Sequence, residues 1–105
     1  MARSCRYIAE DTVGQTLDSC LRQRQMRQAV ERNLEIIGEA LSRLRASDPD
    51  TAAGITHVHR IIGLRNRLAH GYDDEIEDAL VWRAVQESLP ALRAEVEGLL
   101  PDFEP

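Results

Sequence analysis

Three features of the sequence predict an all-α fold, a small bundle of four to five helices. Apolar residues recur at steps of three and four over long stretches of the chain. No stretch alternates polar residues with β-branched or aromatic residues, as half-buried strands do. Hydrophobic residues make up 43% of the 105 residues but include only four aromatic ones, so the core must be mostly aliphatic. A chain of this length supports one core, and we expect a single domain over residues 1–105.

The first two helices are predicted over residues 3–17 and 23–45. The first carries modest apolar content and is interrupted near Gly14, because glycine weakens a helix. The second has a continuous apolar stripe at steps of four and three, formed by Val30, Leu34, Ile37, Leu41 and Leu44. A turn is predicted around Pro49, after which Asp50 or Thr51 can cap the next helix.

A third helix is predicted over residues 52–70, ending where Gly71 can adopt a left-handed conformation. Acidic residues at 73–78 suit the positive N-terminal end of a fourth helix. An apolar stripe in that helix continues across Pro90, so this proline is expected to kink the helix and not to end it. Residues 101–105 are predicted to form a short flexible tail.

Charge and composition exclude several classes of function. The formal net charge of −5 argues against a generally basic nucleic-acid binder, and we expect no DNA partner. No apolar run approaches the ~20 residues of a membrane span, and the N-terminus lacks the apolar stretch of a signal peptide. We therefore expect a cytoplasmic protein with no membrane partner. Cys5 and Cys20 are too few for a disulfide framework or a four-ligand zinc site, so we expect them to be buried or idle thiols, and we expect neither metal nor cofactor.

A polar stripe runs along the third helix at steps of four, three and four, formed by His59, Gly63, Asn66 and His70. Because polar groups inside apolar packing need partners, this stripe is predicted to be a contact seam. Gly63 costs helix stability, which close approach of another backbone at that point would explain.

Arg65 and His70 are candidates for chemistry on phosphate. They are five residues apart, which places them about 140° apart around an ideal helix, so one helix does not point both at one phosphate. Either the last turn distorts, or two copies of the helix meet about a two-fold axis. Asn66 lies four residues before His70 and can hold its ring by a hydrogen bond. The structural alternatives are an ion pair for Arg65, a helix cap for His70 and an ordinary hydrogen bond for Asn66.

Residues 65–72, with the sequence RNRLAHGY, resemble the signature of the HepT-like toxins of the HEPN superfamily. That signature is an Arg, four residues, a His, one residue and a Tyr, with Asn after the Arg. The fixed positions are matched by Arg65, Asn66, His70 and Tyr72. Residues 29–40 resemble the second helix of that family, and residues 82–92 resemble its last helix. The resemblance covers residues 25–100.

The resemblance implies a dimeric HEPN-type bundle whose two Arg and His motifs face each other in a metal-independent RNA endonuclease cleft. Arg65 would clamp the phosphate and His70 would act as acid or base, with Asn66 in support. The implied partner is a minimal nucleotidyltransferase antitoxin, which silences the toxin by adding AMP to the motif tyrosine, here Tyr72. An AMP group there would place a bulky anion where the substrate phosphate lies.

Local charge bears on RNA binding in two opposite ways. Arg60 and Arg67 are candidate RNA contacts that would form one positive patch with Arg65, with Arg22, Arg24 and Arg27 nearby as reinforcement. The acidic run at 73–78 should repel RNA unless it points away or attracts a basic partner. Two alternatives to a toxin remain: a non-catalytic dimeric HEPN module that is partner or substrate of a nucleotidyltransferase, and a plain helical dimer whose polar stripe is its interface.

Overall fold

The computed structural model describes residues 1–69 and 74–99, and over these residues it is all-α, as predicted. The helices in chain order are α1 (Ala2–Thr12), α2 (Leu17–Arg22), α3 (Arg24–Ser47), α4 (Pro49–Ala53), α5 (Val58–Ala69), α6 (Asp74–Glu87) and α7 (Leu89–Leu99). Five of them have eleven or more residues, while α2 and α4 are short. Within the described ranges, no helix is both long and apolar enough to cross a membrane. The tail at 101–105 lies outside these ranges.

Helix α3 is the centre of the bundle and packs mainly against α5 and α1. Its predicted apolar stripe faces the core, since Val30, Leu34, Ile37 and Leu41 are all buried. Helix α7 packs on α1, and α6 packs on both α5 and α7. The most buried large side chains are aliphatic, as expected from the few aromatic residues: Ile8, Leu34, Ile37, Leu41, Ile61 and Leu92.

The N-terminal segment contains two helices where the sequence predicted one. Helix α1 ends at Thr12, and Gly14 follows with a φ of 73°, which favours glycine. Helix α2 then begins with a capping box, in which the side chains of Thr16 and Ser19 each accept a hydrogen bond from the other residue's backbone N–H. The interruption at Gly14 is thus confirmed, but the predicted continuation to residue 17 is wrong.

The predicted third helix is also divided. Helix α4 starts one residue after Asp48, whose carboxylate accepts hydrogen bonds from the backbone N–H and hydroxyl of Thr51. These bonds hold the pKa of Asp48 below its usual range. The chain then turns through residues 54–57, where His57 has a φ of 64° and cannot continue a helix. Helix α5 therefore begins only at Val58, and the cap is Asp48, not Asp50 or Thr51.

The predicted kink near Pro90 is a one-residue interruption at Ser88, between α6 and α7. Helical hydrogen bonds continue on both sides, from Ser88 N to Ala84 O and from Leu92 N to Ser88 O. Pro90 has no N–H to donate to the carbonyl four residues earlier, which explains why the helix is weakened here. The apolar stripe nevertheless stays buried across the break.

Both cysteines are buried and free. Burial raises the pKa of the Cys5 thiol to about 11, so the reactive thiolate is scarce at neutral pH. Burial also raises the pKa of Cys20. The prediction that these cysteines are buried thiols is confirmed.

We expect Ile37→Ala to lower the free energy of unfolding by about 2–5 kcal/mol, because Ile37 is fully buried between the central helices and its truncation leaves a cavity. Val13→Ala is the control, since Val13 is 76% exposed and its loss should change stability by less than about 0.5 kcal/mol. Urea unfolding followed by circular dichroism measures both. Equal stabilities of the two variants would contradict α3 as the centre of the core.

Candidate functional site

The candidate catalytic arginine, Arg65, lies on α5 and reaches across to α3. Its Nη2 donates a hydrogen bond to Glu39 Oε2 at 3.0 Å, and its Nη1 donates to Asn66 Oδ1 at 3.0 Å. The side chain is 35% exposed, so its guanidinium is held at the surface of the bundle and not inside it. An ion pair was the structural alternative for Arg65 in the sequence analysis, and the structure contains this pair, with Glu39 as the partner.

Arg65 can lie here because Gly38 of α3 has no side chain. A Cβ built on Gly38 would overlap Arg65 Cβ and lie 2.7 Å from Arg65 Cγ. Gly63, which the sequence predicted as the point of close backbone approach, is exposed, and a Cβ there would meet no atom of the described residues within 4 Å. The close approach therefore occurs at the glycine of α3 and not at the glycine of α5.

Glu39 connects two arginines. Its Oε2 accepts from Arg65, and its Oε1 accepts from Arg43 Nε at 3.2 Å. The pair with Arg43 joins residues four apart on the same helix, a spacing at which opposite charges stabilise a helix surface. The other partner of Glu39, Arg65, is 26 residues away in the sequence, and the sequence patterns did not predict this contact.

A groove of about 770 Å³ opens beside this ion pair, and we call it the arginine groove. Its lining comes from α1, α3 and α5 and consists of Met1, Arg3, Ser4, Tyr7, Arg32, Asn33, Glu35, Ile36, Glu39, Ala40, Arg43 and Arg65. The residues from α3 recur at steps of three and four, so they form one face of that helix. Arg65 is thus presented to solvent inside a concave surface that is lined by both charged and apolar side chains.

The other members of the motif are placed only in part. Asn66 is exposed, and its side-chain oxygen contacts Arg65. His70 and Tyr72 lie outside the described residues, as do Gly71 and Asp73. The hydrogen bond between Asn66 and His70, and the convergence of His70 with Arg65, therefore stay predictions.

Arg60 and Arg67 do not join Arg65 in one patch, and that prediction is wrong. Seven residues apart on α5, they line a second groove of about 360 Å³ against α6, which we call the α5–α6 groove. Arg83 of α6 also lines it, a residue that the sequence analysis missed. Glu87 accepts hydrogen bonds from Arg60 at 3.4 Å and from Arg83 at 3.0 Å. The helix separates the two grooves because residues 65 and 67 point about 160° apart.

The remaining arginines of the predicted patch are elsewhere. Arg22 pairs with Asp18 at 2.9 Å, and Arg27 donates to the carbonyl of Leu21 at 3.3 Å. Neither lines the arginine groove or the α5–α6 groove. The side chains of the acidic run at 73–78 are outside the described part, so their effect on RNA is untested.

The polar stripe of α5 is not buried within one chain. His59, Gly63 and Asn66 are all exposed, so the predicted seam is an open surface over the residues that the structure describes. His59 Nδ1 lies 3.0 Å from Arg45 Nη1. Because a guanidinium only donates, Nδ1 is the acceptor, and the ring proton of a neutral His59 is on Nε2. A seam with a second copy stays a prediction.

We expect opposite effects from alanine at the two helical glycines. Gly38→Ala should lower the free energy of unfolding by about 1–3 kcal/mol, because its Cβ overlaps Arg65 and forces α3 and α5 apart. Gly63→Ala should raise it by up to about 1 kcal/mol, because alanine favours a helix and the space is open. Thermal unfolding of both variants checks this, and the same sign at both positions would contradict the packing.

Comparison with known proteins gives a consistent family. The model of the family described as "HepT-like: Ribonuclease HepT-like" matches residues 1–99. A protein of Methanocaldococcus jannaschii named "Putative RNase MJ1380" is 35% identical over 94 residues, which cover 90% of this chain and 84% of that protein. A protein of Caldanaerobacter subterraneus subsp. tengcongensis, named "Putative RNase TTE0752", is 24% identical over 98 residues, which cover 93% of this chain and 86% of that protein. No solved structure matches the chain significantly.

These matches confirm the resemblance that residues 65–72 predicted. They extend it from residues 25–100 to almost the whole chain, including the N-terminal helix that contributes to the arginine groove. The helical bundle, the arginine held between α3 and α5, and the family match agree, and the chain belongs to the HepT-like ribonuclease family.

Proposed function

We propose that this protein is an RNA endonuclease that works without a metal ion, as the toxin of a toxin–antitoxin pair. The observation that carries the proposal is the placement of Arg65, a motif residue of the matched family, with its guanidinium in a solvent-accessible, arginine-rich groove. A surface of this kind attracts phosphate, although the chain as a whole carries a net charge of −5.

The proposed reaction uses the 2′-hydroxyl of the substrate. His70 takes the proton from this hydroxyl, whose oxygen then attacks phosphorus. The bond between phosphorus and the 5′-oxygen breaks, and that oxygen takes up the proton that His70 then returns, which gives a 2′,3′-cyclic phosphate and a 5′-hydroxyl. Arg65 stabilises the charge that develops on the phosphoryl oxygens, because its planar donors match two oxygens at once.

The proposed active unit is a homodimer with the Arg and His motifs of both copies in one cleft. On an ideal helix Arg65 and His70 point about 140° apart, so a second copy is a source for the group that one helix does not supply. Two further roles rest on the family resemblance: a minimal nucleotidyltransferase as the antitoxin and AMP transfer to Tyr72 as the silencing step. RNA contacts from Arg60 and Arg67 belong to the same proposal, through the α5–α6 groove.

One observation favours the alternative of a non-catalytic dimer that serves a nucleotidyltransferase. The Arg65 guanidinium already contacts Glu39 and Asn66, so part of its donor capacity is used. AMP uptake at Tyr72 by protein that shows no RNA cleavage beforehand would support this alternative.

We expect His70→Ala to lower the rate of RNA cleavage by about 10²–10⁴-fold, because positioned proton transfer is lost. Arg65→Ala should also lower it strongly, through the loss of charge stabilisation. Cleavage of labelled single-stranded RNA is measured in excess chelator, with Arg22→Gln as a control whose lost charge lies outside both grooves. Full activity in both motif variants would remove the proposal.

A mixture of the same two variants tests the shared cleft. Co-expressed Arg65→Ala and His70→Ala chains form mixed dimers in which one intact arginine and one intact histidine remain. If the cleft is shared, part of the activity returns. If each chain carries its own complete site, the mixture stays as inactive as its components.

We expect Glu39→Gln to lower kcat by about tenfold, because Arg65 loses the charged partner that orients it. The KM for RNA should not rise, since a negative charge leaves the groove. Glu35→Gln is the matched control: Glu35 lines the same groove but pairs with Arg32 and not with Arg65. Steady-state cleavage kinetics separate the two variants, and equal kcat values would show that Glu39 does not position Arg65.

A further inference from the structure

We propose that the arginine groove binds single-stranded RNA beside the cleavage site, with Tyr7 as a platform on which one base stacks. The inference rests on the proposed ribonuclease function and adds its substrate class and a recognition residue on α1. It concerns a wall of the groove that the Arg and His motif does not include.

The charge of the groove suits RNA. Its lining contains four arginines and two glutamates, in a chain where acidic residues outnumber basic ones by 18 to 13. Local positive charge on an otherwise acidic protein is a typical electrostatic footprint of a phosphate-binding surface. Arg65 lines the same groove, so a strand bound in the groove lies close to the residue that is proposed to hold the scissile phosphate.

The apolar part of the groove suits a base. Ile36 and Ala40 are half-buried on the face of α3 that lines it, and Tyr7 stands on α1 at its wall. Tyr7 is 47% exposed, which leaves much of its side chain accessible. Aromatic side chains beside arginines are the common device for binding single strands, because every base has a face that can stack. In duplex RNA the bases are already stacked on each other, so this device selects single strands.

The ion pairs of the groove do not prevent this binding. Arg32 contacts Glu35 at 3.4 Å, and Arg43 contacts Glu39 at 3.2 Å. The two arginine side chains are 72% and 80% exposed, and exposed pairs of this kind contribute little to stability. Each guanidinium can therefore turn to a phosphate, with which charge-assisted hydrogen bonds form.

A second copy of the chain is a less suitable occupant. In a two-fold dimer that joins groove to groove, the same four arginines of each copy would face each other, and like charges at an interface oppose association. The proposed homodimer, which brings the two Arg and His motifs to one cleft, must then border this groove without covering it, so that the groove stays open to substrate.

We expect Tyr7→Leu to weaken binding of single-stranded RNA by between about 5-fold and about 150-fold, the range for loss of one stacked base. Tyr7→Phe should bind like wild type, since it keeps the ring. The probe is a labelled RNA of about 12 nucleotides with every 2′-hydroxyl methylated, so that it cannot be cleaved. Fluorescence anisotropy with the full chain gives the affinity, and Leu21→Ala is the control for loss of an exposed apolar side chain outside the groove.

The contribution of the arginines is tested by the salt dependence of RNA affinity. Arg32→Gln combined with Arg43→Gln should reduce the slope of log affinity against log salt by about 0.7 for each phosphate that the protein no longer neutralises. Arg22→Gln, outside the groove, should leave the slope unchanged. A duplex of the same sequence should be insensitive to Tyr7→Leu.

The outcomes separate this inference from the proposed function. Unchanged affinity in Tyr7→Leu overturns the inference, while loss of cleavage in His70→Ala would still support a ribonuclease. A shift of Tyr7→Leu to a smaller assembly in light scattering also overturns it, by showing that the groove is a contact between copies. Binding that depends on Tyr7 in a protein that cuts no RNA would keep the groove as a site for single-stranded RNA and remove the ribonuclease.

Discussion

The packing of Arg65 against Gly38 is the contact on which the candidate site depends. It lets α5 approach α3 closely enough for the guanidinium to reach Glu39, 26 residues away in sequence. A side chain at position 38 would take the space of the Arg65 stem. A helix interior normally disfavours glycine, so the fold trades some helical stability of α3 for this approach. Arg65, which this contact positions, lines the arginine groove.

Arginines that are neighbours in the sequence of this protein lie on different surfaces of the fold. The arginines of α5 are close in sequence, yet Arg65 faces α3 while Arg60 and Arg67 face α6. Each set has a glutamate between its arginines: Glu39 in the arginine groove and Glu87 beside the α5–α6 groove. These carboxylates hold the guanidinium groups in place without burying them, so the groups remain available to an anion. An acidic protein can in this way present two local surfaces for phosphate.

The interruptions of the helices explain the shape of the bundle. Gly14 and the turn at residues 54–57 let the short helices α2 and α4 pack on α3, so that α3 is covered on several sides. Thr56, in that turn, donates its backbone N–H to Glu95 of α7 at 2.9 Å, which ties the turn to the last helix. The break at Ser88 allows α6 to pack against α5 while α7 packs against α1. The apolar stripe passes through the break at Ser88, because burial depends on the face of the helix and not on unbroken hydrogen bonding.

The sequence by itself determined the fold class, the central helix, the buried cysteines and, through residues 65–72, the family. These follow from local patterns, since helical periodicity and a motif are read from neighbouring positions. Only the tertiary structure decided which glycine admits the close approach, that Glu39 is the partner of Arg65, and that the arginines of α5 divide between two grooves. Spacing along one helix gives the direction of a side chain but not which helix lies opposite it. Contacts between residues far apart in the chain depend on how the helices pack, and no single-segment pattern contains that information.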